Sequence, residues 1–354
     1  MSYQRKLLWQ RETHPMANDH LPPFLRALMH PDRYDHPAAD VNLIQTHISS
    51  VILAGDYVYK FKKPVNFGFL DFSDLDKRRA CCEQEILLNR RLCPEIYLGM
   101  VTVTVEPDGG FALNGSGPVA EYGVKMARMP EELMMAQMIR GGQLQASHID
   151  ALVGVLADFY QRAENGSEIA RFGTATAVAV NVLENFDQTQ SFIGQGALDR
   201  TQFEAIAGYA RGFLKNESLF QQRIDGGFIR DCHGDLYSAN ICLADRVYIY
   251  DCIEFNQRFR YCDVASDVAF LVMDLEFHGL DELAGRFVDR FVQATSDRGL
   301  QAMLNFYKCY RAYVRGKIGL FTATDPAVDP AVRTANIEQA AKYFRLAQRY
   351  AVCQ

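Results

Sequence analysis

Apolar and polar positions along the chain fall into two regimes. From Val41 the apolar runs are short and β-rich: "VNLIQT" precedes "SSVILAGDYVYKFKK", in which Ala54-Gly55-Asp56 supplies turn chemistry between two alternating segments. Three consecutive antiparallel strands are expected. In "LDKRRACCEQEILLNRRL" the residues Cys82, Ile86, Leu88 and Leu92 recur at roughly helical spacing, behind Ser73 or Asp74 as cap and ahead of Pro94. Two further strands are predicted in "LGMVTVTVEP" and "AEYGVKMARM", separated by the glycine-rich turn "DGGFALNGSG". From Pro130 onward the long segments are mainly helical, interrupted only by "RDCHGDLYSANICLADRVYIYDCIEF".

No internal repeat or low-complexity linker divides the chain, so the change of periodicity at "KMARMPEE" sets the boundary. The pattern predicts an α+β protein in three parts. Residues 1–36 form an N-terminal arm, in which "LPPFLRALMH" is the one helical turn, started by prolines suited to a first turn. Residues 37–129 form a small β-rich lobe and residues 130–354 a larger helical lobe. A nucleotide would fit a cleft between the lobes, since ligand sites favour domain interfaces.

Composition narrows the function classes. A formal net charge of −6 argues against bulk attraction to nucleic acid or anionic lipid, both of which need a basic face. No run approaches the roughly 18 apolar residues of a membrane span. The start, "MSYQRKLLWQRETHP", has only Leu7-Leu8-Trp9 as an apolar break, too short for a secretory segment, so a cytoplasmic location is expected. The nine cysteines are odd in number and are expected to be free thiols. Cys232, Cys242, Cys252 and Cys262 recur every ten residues, which is not a zinc-ligand spacing.

The interrupting stretch carries the candidate chemistry. It reads as strand "ICL", turn "ADR" and strand "VYIY", and a three-residue turn pairing Leu243 with Val247 sets Asn240 opposite Tyr250, next to Asp251. An amide oxygen and a carboxylate then converge. That pair suits Mg²⁺, a hard cation that takes one or two protein oxygens and completes its shell with phosphate and water. Asp235, five residues before Asn240, is placed to act as base toward a substrate hydroxyl.

His233-x-Asp235-x4-Asn240, followed by strand, turn, strand and Asp251, resembles the catalytic signature of the aminoglycoside phosphotransferase and choline kinase family, a branch of the protein-kinase-like fold. The resemblance covers roughly Val41 to Tyr350 and implies a bilobal fold using ATP and Mg²⁺. It implies that Asp267, in "SDVAF", braces the catalytic loop; His233 is expected to be a structural hydrogen-bonding residue, because Asp235 two residues later already fills the role of base. It also implies a strand lysine on the phosphates, paired with a helix glutamate. Lys60 is assigned, because Val58 two residues earlier would lie under the adenine, and Lys62 shares its face. Glu85 is the partner, with Glu83 as runner-up. Ser49, with Ser50 beside it, is assigned to the nucleotide because the turn "QTHISS" lacks the glycines that protein kinases place over the phosphates. Met126 and Met129, at the lobe boundary, complete the nucleotide-binding set. The run "THISSVILAGDYVYKFKKPVNFGFLDFSDLDKRR" further resembles an uncharacterised bacterial subfamily, some of whose members carry an extra C-terminal P-loop domain that is not expected in this chain.

The implied activity is transfer of the γ-phosphoryl of ATP to a hydroxyl of a small molecule. A protein kinase, another nucleotide-dependent transferase of the fold, and a nucleotide-binding pseudokinase are the alternatives. Asp263 follows Asp251 after only twelve positions, which leaves little room for a peptide-docking segment and favours a small acceptor. Two features bear on that acceptor and disagree. Glu254, Asp263, Asp267, Asp274 and Glu276 would suit a cation, whereas Lys308, Arg311 and Arg315, at i, i+3 and i+7, would suit an anion. Solvated faces with ordinary salt bridges would explain both.

Overall fold

A computed structural model describes residues 21–325 and 328–352. The chain divides into two compact units. One comprises its described residues through Glu131 together with Tyr248–Asn256; the other comprises Glu132–Val247 and the described residues from Gln257 onward.

The first unit begins with helix α1 (Pro23–Leu28), with a proline at its first position. Strands β1 (Val41–Gln45), β2 (Ser49–Ala54) and β3 (Tyr57–Lys62) follow, then helix α2 (Leu75–Asn89) and strands β4 (Tyr97–Val105), β5 (Phe111–Leu113) and β6 (Val119–Ala127). They form a six-stranded sheet in the order β1-β2-β3-β6-β4-β5, each neighbouring pair antiparallel. The β2–β3 turn is two residues long, with Gly55 at φ +56°. A Cβ there would lie 2.2 Å from the carbonyl oxygen of Pro37, so both the hand of the turn and the close approach require glycine. The segment expected to be a glycine-rich turn contains β5, three residues long and thus without an alternation to read.

Of the expected N-terminal arm, residues 1–20 lie outside the described residues. The remainder packs into the core: Leu21, Leu25 and Leu28, one face of a helix by their spacing, are buried with Ile52, Tyr59, Phe61, Val101 and Val103. Helix α2 starts at Asp74, whose side chain accepts from the Lys77 amide. Its buried side is unusually polar. Arg78 donates to Glu121 and to the Phe72 carbonyl, and Glu85 and Asn89 are buried beside it.

The second unit is mainly helical. It runs through α3 (Met135–Arg140), α4 (Ala146–Arg162), α5 (Ser167–Ala170), α6 (Ala175–Thr189), α7 (Arg200–Phe213) and α8 (Glu217–Asp225). Three short strands follow, β7 (Ile229–Asp231), β8 (Ile241–Leu243) and β9 (Val247–Ile249), the last crossing into the first unit's segment. The chain then forms α9 (Gln257–Arg260), β10 (Tyr261–Asp263), α10 (Val264–Phe277), α11 (Asp281–Thr295), α12 (Leu300–Thr324) and α13 (Pro330–Val352). Strand β7 pairs antiparallel with β10, a pairing that three-residue strands thirty positions apart do not announce. Helix α10 is buried from Val264 through Leu275 and is apolar nearly all round, as a central core helix must be. It packs against α11 and α12, and α12 packs along α13. Among the described residues no helix is long and apolar enough to cross a membrane.

Candidate functional site

In the first unit, side chains alternate along β3, so Lys60 and Lys62 share a face, and both reach Glu85 on α2. The Lys60 Nζ stands 2.7 Å from Glu85 Oε1 and 2.6 Å from Asp251 Oδ1. The Lys62 Nζ stands 2.5 Å from Glu85 Oε2 and also pairs with Glu254. The five groups form a chain, Glu254–Lys62–Glu85–Lys60–Asp251, with one closed and one open end. The side chains of Lys62 and Glu85 are fully buried and that of Glu254 is 4% exposed, whereas Lys60 is 13% and Asp251 43% exposed. Glu83 points elsewhere and pairs with Arg79 on the exposed side of α2.

This arrangement fixes the charges. Burial works against an ionised Glu85, but the Lys60 and Lys62 ammonium groups hold its carboxyl below the usual range. Burial also opposes the charge on Lys60, yet Asp251 and Glu85 raise its pKa well above that of an ordinary lysine. Glu254 and Glu85 do the same for Lys62. All three stay ionised at neutral pH.

The loop that bears Asp251 is held as firmly as its side chain. Asp251 has φ +63°, a left-handed conformation that costs a non-glycine residue about 1 kcal/mol. Its amide donates to Tyr97 Oη (3.3 Å), and the Cys252 amide donates to Asn89 Oδ1 (2.9 Å). Three residues on, Phe255 packs against Phe69 and Phe72. Asn89 lies one turn beyond Glu85, so a single helix orients both the glutamate and the loop.

The other nucleotide candidates are more dispersed. Ser49 is 1% exposed, and its amide closes the turn by donating to Thr46 Oγ1 (2.9 Å). The Ser49 hydroxyl is buried without a partner among the described residues. Ser50 donates to Gln45. Met126 on β6 sits opposite Val58 and is buried, and Met129, just past the strand, is half-buried.

In the second unit, the loop after β7 hangs on Asp267, in the first turn of α10. Its fully buried carboxylate accepts from the amides of His233 (2.7 Å) and Gly234 (3.0 Å) and from Tyr160 Oη (3.1 Å). Arg311, 3.5 Å from Asp267, donates to the Gly234 carbonyl (2.9 Å). Gly234 has φ +86°, which only glycine adopts freely. His233 is completely buried, and its Nδ1 accepts from the Asp235 amide. Asn240 is buried and donates through Nδ2 to the Asp235 carbonyl (2.9 Å) and carboxylate (3.0 Å), leaving the amide oxygen turned the other way. Asp235 and Asn240 are thus joined directly, and Asp235 is only partly buried. Tyr160→Phe should lower stability by about 1.5–3 kcal/mol, because a buried carboxylate loses one of its donors. A shift of the urea midpoint at unchanged slope would show it; no shift would mean that Asp267 does not depend on this contact.

Neither charge pattern offered for the acceptor survives as a free face. Lys308, Arg311 and Arg315 are buried: Lys308 is bound to Glu276, Arg311 to the loop, and Arg315 lies over Tyr237. The carboxylates are equally committed. Asp263 pairs with Arg223, Asp274 accepts from the Ser238 amide, and Glu254 holds Lys62. The i, i+3, i+7 spacing places the three on one face of α12, and α10 and α13 cover that face.

Glu254, expected to face a cationic acceptor, instead holds Lys62, and Asn89, Tyr97 and Tyr160 were not anticipated. Only Glu254 had a signal in the sequence, an acidic residue three after Asp251 and a second lysine available to meet it.

No family model matches the chain. Uncharacterized proteins of Mycobacterium tuberculosis and Mycobacterium bovis are each 34% identical to it over 290 residues, covering 80% of this chain and 56% of theirs. The chain therefore spans about half the length of the curated relatives it matches. Among solved structures, an amicoumacin kinase in complex with AMP-PNP, Ca²⁺ and Ami superposes with a TM-score of 0.50 at 13% identity, covering 91% of this chain and 89% of that one. A choline/ethanolamine kinase family protein from Mesorhizobium loti gives 0.47 at 11% identity, covering 91% and 94%. The likeness to the amicoumacin kinase shows the fold: the chain has the protein-kinase-like architecture, with a curled antiparallel sheet followed by a mostly helical part.

Proposed function

We propose that the protein is a phosphotransferase that moves the γ-phosphoryl group of ATP to a hydroxyl of a small molecule. The observation that carries this reading is the Lys60 ammonium, held between Glu85 and Asp251 at the open end of a buried chain of charges. A lysine so fixed, with one side accessible, suits the α- and β-phosphates, and Glu85 keeps it charged and aimed. Val58, Met126 and Met129 offer apolar surface to the base, and the buried Ser49 hydroxyl lies on a residue paired with Lys62. Asp251 and Asn240 supply hard oxygen donors, as Mg²⁺ prefers. Among the described residues no three His, Cys, Asp or Glu side chains gather for a metal, so an ion here depends on the nucleotide's own oxygens. Held by such donors, a cation would supply neutralisation of charge on the phosphates. The amicoumacin kinase of like fold binds AMP-PNP and Ca²⁺, which supports the use of a nucleotide with a divalent ion.

Asp235 serves as base. The acceptor oxygen attacks the γ-phosphorus, the bond from that phosphorus to the β–γ bridging oxygen breaks, ADP leaves, and the acceptor proton passes to the Asp235 carboxylate. Asn240 Nδ2 holds that carboxylate in one orientation, and the hydrogen bonds of Asp267 to His233 and Gly234 set the loop. The span from Asp251 to Asp263 holds the four-residue helix α9 and the three-residue strand β10, which supports a small acceptor rather than a peptide.

ADP at a hundred times its dissociation constant should add about 2.7 kcal/mol of stability, a rise of several degrees in melting temperature, with Mg²⁺ present. The rise should shrink sharply in EDTA. Equal rises in Mg²⁺ and EDTA would remove Asn240 and Asp251 from the metal; no rise in either would end the phosphotransferase reading.

A further inference from the structure

Two residues beyond Arg315, α12 carries a cation that the proposed reaction does not use. Lys317 is half-buried, and its Nζ donates to Gln188 Oε1 on α6 at 2.7 Å. Among the described residues it forms no ion pair with a carboxylate. Glu184, one turn before Gln188 on α6, is taken by Arg258 of α9 at 2.5 Å. Asn181 keeps α9 in place there, its Nδ2 donating to the Arg258 carbonyl (2.9 Å). Burial pushes the Lys317 pKa down to about 8, with Glu184 opposing that fall and Arg258 adding to it.

A neutral amide is a poor return for an ammonium that has given up water, which is ordinarily repaid by a full opposite charge. The Lys317 ammonium has donors left over after Gln188, and Gln188 Nε2, without a partner among the described residues, adds a further pair. An apolar surface adjoins these donors. Lys317 Nζ lies 5.7 Å from the centroid of the Phe321 ring, one turn further along α12, and that ring meets Phe192 at 5.9 Å. Phe321 is 40% exposed. The other side of α12 is closed, since a Cβ on Gly316 or Gly319 would run into Phe344 or Asn336 of α13. Lys317 and Phe321, four residues apart, therefore share the open side.

We infer that this seam between α6 and α12 is a binding site for a small organic oxyanion, a carboxylate or a phosphate monoester on an apolar body. The oxyanion takes the donors of Lys317 and Gln188, and the body lies on Phe321. The site belongs wholly to the second unit and does not depend on the phosphotransferase reading. It stands on the helix that holds the Asp235 loop, through Arg311 and the Gly234 carbonyl.

The test is trace reductive methylation of the intact chain with formaldehyde and cyanoborohydride, read by mass spectrometry as the rate at Lys317 relative to the exposed Lys77. The probes are phenyl phosphate and phenylacetate, their ring-less counterparts inorganic phosphate and acetate, and neutral phenylacetamide, all at one ionic strength so that screening is constant. Phenyl phosphate, phenylacetate or both should slow Lys317 along a saturating curve, about tenfold at roughly ten times the dissociation constant. Which of the two does so identifies the oxyanion. The matching ring-less anion should act more weakly, and phenylacetamide should leave the rate unchanged. Phe321→Ala should erase the advantage of the ring while the ring-less anion still slows Lys317. An unchanged Lys317 rate in both ring-bearing anions at about 10 mM would overturn the inference, as would equal slowing by phenylacetamide. A Phe321→Ala protein in which the ring keeps its full advantage would also defeat it. If that variant does not fold, the unaltered protein decides alone, and equal slowing by ring-bearing and ring-less anions there is fatal.

Discussion

Asp235→Asn should reduce turnover by about 10²–10⁴-fold, the usual contribution of a general base, while leaving nucleotide affinity nearly unchanged. Asparagine keeps the size of the side chain and can still meet Asn240, so the loop should keep its shape; what it lacks is a site for the acceptor proton. Its neighbours support a clean substitution. The loop is held by Asp267 through the amides of His233 and Gly234. Asp251→Asn provides the contrast, because it should weaken Mg²⁺-dependent nucleotide binding together with turnover. Steady-state rates with a verified acceptor, or the slow hydrolysis of ATP in its absence, check both. Near-normal turnover in Asp235→Asn would remove it as base and turn attention to a pseudokinase or a different chemistry.

Lys60→Ala should lower turnover by about 10²–10³-fold, since a charge-assisted contact to phosphate is lost from a sheltered site. The variant should fold. Glu85 retains Lys62, and Asp251, whose side chain is 43% exposed, regains water. Lys62→Ala should behave differently. Its ammonium is closed off from any ligand, so the direct loss falls on stability, and transfer suffers only as far as Glu85 shifts. Comparing kcat, KM for ATP and urea midpoints for the two variants distinguishes these outcomes. A larger loss of transfer in Lys62→Ala, at equal stability, would exchange the roles of the two lysines.

Much of this was legible along the chain. Alternation over residues 49–62, broken by Ala54-Gly55-Asp56, specified two strands and their turn, and the same period of two put Lys60 and Lys62 on one face. The Asp74 cap and the helical spacing after it specified α2, while the choice of Glu85 over Glu83 came from the family resemblance. The short loop between Asp235 and Asn240 kept the two residues close, and the structure adds the bond between them. These are local matters, governed by the stereochemistry of a few adjacent residues. What the sequence left open depends on partners far away. Lys60 and Lys62 share one face of β3, and it is Glu254 and Phe72, packed against Lys62, that set the two apart. Lys308, Arg311 and Arg315 formed a basic face by spacing alone, but periodicity says which residues share a face and nothing about what covers it; α10 and α13 do. Leu21, Leu25 and Leu28 became core for the same reason, since a short apolar stripe is stable only where a sheet supplies the opposing surface. Sequence settled which chemical groups stand together on one element, and tertiary structure settled which of them water and a ligand can reach, because burial is decided by the segment that packs on top.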